Sequence, residues 1–137
     1  MSTRSEDLSD DRRGRQEIGK LGERIALQHL MAKGYVIHCQ NWRSREGEID
    51  LVAKDDDQIV FVEVKTRTSH AYGWPEESIT SAKRRHIKNA AWEYLDAHHL
   101  LDADWRIDVI AIDLSPSGHL ERLEHYQNAI GYDGDPR

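Results

Sequence analysis

The sequence predicts a mixed α/β fold in which helices cover a central sheet, and three observations lead there. The run "IVFVEVKT", residues 59–66, is apolar on both faces apart from Glu63 and Lys65, the pattern of a central strand with a layer on each side. Two segments carry apolar residues at helical spacing, Ile18 to Lys33 and roughly Glu76 to His98. Strand-like segments lie between and after them, and the order helix, three strands, helix, strand is that of a sheet with helices on its faces. At 137 residues the chain has the size of one ordinary domain, so a single active surface is expected.

Each element follows from its residues. Residues 1–16 mix both charge signs with Ser and Gly and show no periodicity, so they are expected to be a disordered arm. Residues 17–130 are then the domain and 131–137 a Gly- and Asp-rich tail. In the first helix Lys20, Arg24 and Gln28 form a polar stripe, and Gly34 supplies the stop. "YVIHCQNW", Tyr35 to Trp42, is β-branched and aromatic, hence a strand, and "RSREG" turns the chain. From Glu48 to Ala53 polar and apolar residues alternate, placing Ile49, Leu51 and Ala53 on one face and Glu48, Asp50 and Val52 on the other. "KDDDQ" is a polar hairpin connection. In the next strand Val60, Val62, Val64 and Thr66 face one way, and Ile59, Phe61, Glu63 and Lys65 the other. Pro75 and its acidic neighbours are expected to start the second helix, with Ile79, Ala82, Ile87, Ala90, Tyr94 and Leu95 as its apolar stripe. "WRIDVIAIDL" alternates Ile107, Val109 and Ala111 with Asp108, Ile110 and Ile112 as a further strand. "SPSG" then turns the chain into "HLERLEHYQNAI", a short edge strand.

Composition narrows the function. No apolar run approaches the roughly 20 residues of a membrane span, and the N-terminus lacks the apolar core of a signal peptide, so a cytoplasmic protein with no membrane partner is expected. Cys39 is the single cysteine, in keeping with a reducing compartment. A net charge of −6 argues against holding nucleic acid by bulk electrostatics, so any such contact needs a local patch. "SAKRRHIK" offers one in Lys83, Arg84, Arg85 and Lys88, to which Arg43, Arg45 and Arg67 add if the fold gathers them. The plain alternative is a solvated basic helix face. The eight histidines do not suggest zinc, because no Cys/His group has ligand spacing. Trp74 suits stacking on a base or packing against its own domain.

The acids inside strands carry the chemistry. Period-two geometry sets Glu63 and Lys65 side by side on one face, and a hairpin brings Asp50 beside them if the register agrees. Two carboxylates without a neutralising partner repel, and a hard divalent cation such as Mg²⁺ resolves that conflict while keeping several waters. A nearby ammonium then orients an attacking water and offsets charge developing on a phosphate. The alternative is that Asp50 and Glu63 make ordinary ion pairs with Lys65 and an arginine, although buried ion pairs add little net stability. Glu23 lies off the polar stripe and shares a face with Leu27 and Leu30, which points it at the apolar layer or the sheet edge. Pairing with Lys20 on the helix surface is its alternative.

The segments "GKLGERIALQHLMAKGY", "NWRSREGEIDLVAKD", "IVFVEVKTR", the lysine of "ITSAKRRHI" and "WRIDVIAID" together resemble the YraN family of predicted endonucleases. That family is distantly related to archaeal Holliday junction resolvases and to the PD-(D/E)xK nucleases. The resemblance spans about Ile18 to Ile130 and implies a restriction-endonuclease-like core. It also implies a metal site of Asp50, Glu63 and the Val64 backbone carbonyl, with Lys65 as catalytic lysine and Glu23 as the helix acid assisting the metal or its waters. Ile49, not proline, precedes Asp50, which departs from the superfamily name but agrees with the family's own "GEID".

The expected function is a Mg²⁺- or Mn²⁺-dependent DNA endonuclease linked to repair or recombination, with Glu23, Asp50, Glu63 and Lys65 as its catalytic residues. Lys83, Arg84, Arg85 and Lys88 would track the DNA backbone, widened by Arg43, Arg45 and Arg67. An acidic protein with a short basic strip suits recognition of branched or single-stranded shape, and a homodimer would double the strip. The rival is a non-catalytic nucleic-acid-binding or interaction module that keeps the fold and uses its carboxylates only in ion pairs.

Overall fold

The computed structural model describes residues 12–68 and 79–130. Helix α1 (Arg12–Ala32) is followed by strands β1 (Val36–Arg43), β2 (Glu48–Asp55) and β3 (Gln58–Arg67), helix α2 (Ser81–Ala97), and strands β4 (Trp105–Leu114) and β5 (Leu120–Tyr126). The strands form one sheet in the order β1-β2-β3-β4-β5. β1, β2 and β3 run as an antiparallel meander, α2 is the crossover to a parallel β4, and β5 returns antiparallel as the far edge. The mixed α/β class and the expected element order are those observed.

Two apolar layers lie on opposite faces of the sheet. On one, Ile87, Ala90, Ala91, Tyr94 and Leu95 of α2 pack on Phe61, Ile107 and Val109. On the other, Ala26 and Leu30 of α1 pack on Val60, Val62, Val64, Ile110 and Ile112. The faces expected for β3 and β4 are therefore the observed ones. α1 lies so close to β3 that a Cβ added to Gly22 would overlap Thr66 Oγ1 and sit 2.9 Å from Thr66 Cβ and Cγ2.

Local signals explain the ends. Gly34 takes φ +91°, with Gly34 N–H donating to Met31 O and Tyr35 N–H to Leu30 O, the paired bonds of a left-handed helix stop. The β2–β3 turn uses Asp56 at φ +53°, a conformation aspartate tolerates because its short polar side chain bonds locally.

Four expectations need correction. Residues 12–16, expected in a disordered arm, are the first turns of α1, and the remainder of that arm lies outside the described residues, as do the tail 131–137 and Trp74, Pro75 and Glu76. α2 begins at Ser81, where Thr80 is the cap, its side chain accepting from Lys83 N–H at 3.1 Å. Ala82, expected on the apolar stripe, is exposed in the first turn. Ile49 joins the α2-side core with Val52, whereas Leu51 and Ala53 lie on the α1 side. The alternation of β2 therefore breaks at Asp50, for a reason that lies in the site.

Candidate active site

The β2–β3 ladder holds from Asp55↔Gln58 as far as Leu51↔Val62. Continued in register it would set Ile49 opposite Val64, but β2 has turned off to send Ile49 into the α2-side core. Asp50 fills the gap with its side chain, Oδ2 accepting from Val64 N–H at 2.7 Å. A carboxylate thus replaces the main-chain carbonyl the ladder would have supplied. Because the N–H and C=O of one strand residue point to the same side, the Val64 carbonyl faces this gap as well.

Glu63 stands next to it, 4% exposed, on the α2 face of β3. Its carboxyl is close enough to that of Asp50 for each to affect the other's titration. Burial pushes Asp50 up to about 8, reinforced by the charges of Glu63, Glu23 and Glu48 and opposed by the Val64 N–H. Burial also raises Glu63, against the pull of the Lys83 and Lys65 ammonium groups. A half-buried and a buried acid share this corner, and the proton that one of them keeps stands in for a positive charge.

Lys65 Nζ lies 3.6 Å from Glu63 Oε2. Lys83 Nζ, arriving from the first turn of α2, lies 3.5 Å from the same oxygen. Among the described residues no basic side chain pairs with Asp50. Ordinary ion pairing therefore accounts for Glu63 but not for its neighbour. Glu23 is half-buried on α1, accepts from Asn41 Nδ2 at 3.1 Å, and is close enough to raise Asp50.

The donors are hard oxygens: two carboxylates and a main-chain carbonyl at a break in the sheet. That set fits Mg²⁺ or Mn²⁺, which bind through one or two carboxylates and retain water. Among the described residues no three His, Cys, Asp or Glu side chains cluster to hold a metal by themselves.

The expected basic strip does not form a single face. Lys83 turns to Glu63. Arg84 lines a cavity of about 600 Å³ with Val109, Asn128 and Ile130, its buried Nε having no hydrogen-bond partner among the described residues. Arg85 is exposed, and Lys88 is 8% exposed in its helix, which takes it out of reach of a phosphate backbone. Arg43 pairs in register with Glu48, two residues before Asp50, and Arg67 follows two residues after Lys65, so both border the site. Arg45 is exposed and bonds to Glu93 through its main-chain N–H at 3.2 Å. Sequence reasoning gave Lys83 a different task and missed Thr80, although a threonine three residues before that lysine is a readable cap signal.

The sequence pattern of the group described as "Uncharacterised protein family UPF0102" matches residues 22–112, a span that holds Glu23, Asp50, Glu63, Lys65 and Lys83. The chain belongs to the UPF0102 family. This UPF0102 chain is 45% identical over 121 residues to a UPF0102 protein of Chloroflexus aurantiacus, covering 87% of this chain and 97% of that one. It is 42% identical over 116 residues to one of Pelotomaculum thermopropionicum, covering 85% and 97%. With one of Geobacter metallireducens the identity is 46% over 115 residues, covering 84% and 93%. Among solved structures, Pyrococcus furiosus SfsA in complex with Ca²⁺ overlaps with a TM-score of 0.40 at 14% identity, over 85% of this chain and 64% of that one. Among the described residues of this UPF0102 chain, no helix is long and apolar enough to cross a membrane.

Proposed function

We propose that the chain is a Mg²⁺- or Mn²⁺-dependent endonuclease that hydrolyses phosphodiester bonds in DNA. One observation carries the reading. Half-buried Asp50 and buried Glu63 are neighbours at a break in the sheet, close enough to raise each other's demand for a cation, and Asp50 lacks a basic partner among the described residues. Glu63 has its two lysines, but a second carboxylate beside it with no cation of its own is costly to a purely structural role.

Asp50, Glu63 and the Val64 carbonyl would hold the cation. When bound, it polarises a phosphoryl oxygen and lowers the pKa of a coordinated water. Lys65, beside Glu63 and partly open to solvent, would orient the attacking water, and Glu23, held by Asn41 Nδ2 near Asp50, would accept from waters of the bound cation. Water oxygen bonds to phosphorus, the bond to the leaving oxygen breaks, and the water proton ends on that leaving group. A phosphomonoester and an alcohol result. Arg43 and Arg67 flank this site along their strands and, with the exposed Arg45 and Arg85, would supply contacts to flanking phosphates, which carry affinity without base reading. With few such cations on an acidic protein, branched or single-stranded DNA is the favoured substrate class, with repair or recombination as its setting.

The test is cleavage of branched and single-stranded DNA in Mn²⁺. Asp50→Ala and Lys65→Ala should each lose at least about 100-fold in kcat while circular dichroism shows the fold intact. Equal activity in all three proteins would mark a contaminating nuclease.

A further inference from the structure

The sequence assigns Lys83 to a basic strip that follows the DNA backbone, but the fold gives it a different neighbour. Its Nζ and that of Lys65 converge on one atom, Glu63 Oε2, at 3.5 and 3.6 Å. A single carboxylate oxygen needs one such partner. The Lys83 side chain is 43% exposed against 25% for Lys65, so it is the ammonium on the open side of the pair.

Its placement is also costly to its own helix. Lys83 sits in the first turn of α2, which contains no acidic residue, where a cation opposes the positive end of the helix dipole. Thr80 fixes that turn by accepting the Lys83 main-chain N–H, so the lysine projects from a rigid base. A residue chosen only for helix stability would carry the opposite charge here.

We propose that Lys83 is a second catalytic lysine, which leaves Glu63 and donates to a non-bridging oxygen of the scissile phosphate, where charge builds up during attack. This inference rests on the nuclease reading above. Charge balance supports it. With a divalent cation neutralising Asp50 and Glu63, both ammonium groups lose their counter-charge. A phosphodiester brings one negative charge, and attack by a deprotonated water adds a second. Lys65 on the water and Lys83 on the phosphate match these two charges.

Lys83→Ala and Lys83→Arg are compared with wild type in three measurements. Mn²⁺ affinity, by calorimetry on folded protein, should stay within about threefold in both, because Lys83 is not a ligand. Affinity for inorganic phosphate in the presence of Ca²⁺ should fall at least about tenfold in Lys83→Ala and be largely restored in Lys83→Arg. With Mn²⁺ and branched DNA, Lys83→Ala should lower kcat about 100-fold with little change in KM, and Lys83→Arg should recover part of it.

A raised KM and shallower salt dependence at unchanged kcat would overturn the inference in favour of backbone tracking. A lowered Tm with phosphate affinity unchanged would overturn it in favour of a structural ion pair, and wild-type protein that binds no phosphate would overturn it outright. If wild type binds phosphate through Lys83 yet cuts no DNA, the nuclease reading fails and the Lys83 contact stands. If wild type cuts DNA and Lys83→Ala keeps both kcat and phosphate affinity, the reverse holds.

Discussion

Asp50 concentrates the strain of this site in one side chain. Its pKa, raised to about 8 chiefly by burial, means that the folded protein binds a proton which the unfolded chain, titrating near 3.8, has released. Stability from this group is therefore fully present at low pH and is lost as pH rises through the interval between those values. Glu63, also raised by burial, acts in the same direction. His29, lowered by burial and by the neighbouring His125 and Lys33, acts oppositely, gaining stability as pH rises toward its ordinary value near 6.5 and no more beyond it. The two trends separate in a difference measurement. Asn at position 50 mimics the protonated acid and still accepts from Val64 N–H. In EDTA, urea unfolding at pH 5.5 and 8.0 should show Asp50→Asn gaining about 1–3 kcal/mol on wild type between the two. A constant difference would mean that Asp50 is ionised without strain.

At the scale of elements, close approach and capping decide what sits where. α1 delivers Glu23 to the sheet only because Gly22, one residue earlier, lets the helix touch Thr66. Gly22→Ala should cost about 1–3 kcal/mol in urea unfolding, despite alanine's better helix propensity, because the added methyl meets β3. A stabilised variant would contradict the packing of α1. Much of this level was legible in the sequence. The stripe of Lys20, Arg24 and Gln28 is exposed, Gly34 ends its helix, and Glu63 and Lys65 share the face expected of them. The start of α2 was not, because a proline with acidic neighbours is the stronger start signal in a sequence, whereas the Thr80 cap acts through one hydroxyl. Ile49 was misassigned because strict alternation describes an undistorted strand, and β2 stops being one at Asp50. The site residues were legible because acids are out of place in apolar strands. The role of Lys83 was not, since a helical pattern does not reveal which strand residue lies beneath its first turn.

Across the whole molecule the sheet is tied together on the α1 side by a buried polar network that periodicity could not disclose. Asp108, fully buried on β4, receives Arg106 Nε at 2.9 Å, His125 Nε2 at 2.9 Å and Asn128 N–H at 2.8 Å. Burial alone would raise its pKa, but the bonds from His125, Arg106 and Asn128 hold it below the usual carboxylate range. Arg106 reaches on to Tyr35 Oη at 2.8 Å and to Gln58 Oε1 at 2.7 Å. His125 reaches His29 of α1 at 3.1 Å. Helix, hairpin and edge strand are thus joined through one carboxylate. Asp108→Ala should cost about 3–5 kcal/mol, because it leaves buried donors and a buried guanidinium without their partner. An unchanged denaturant midpoint would show the network to be dispensable. The two networks divide the labour: Asp108 has its positive partners within the fold, and Asp50 has none among the described residues.

That contrast is tested most directly by calorimetric titration of Mn²⁺ into metal-free protein at pH 7.5. The account predicts binding at about millimolar strength or tighter, with protons released as the Asp50–Glu63 pair ionises. Both signals should disappear in Asp50→Asn and in Glu63→Gln of unchanged fold. No binding to well-folded wild type, or binding that survives both substitutions, would contradict it.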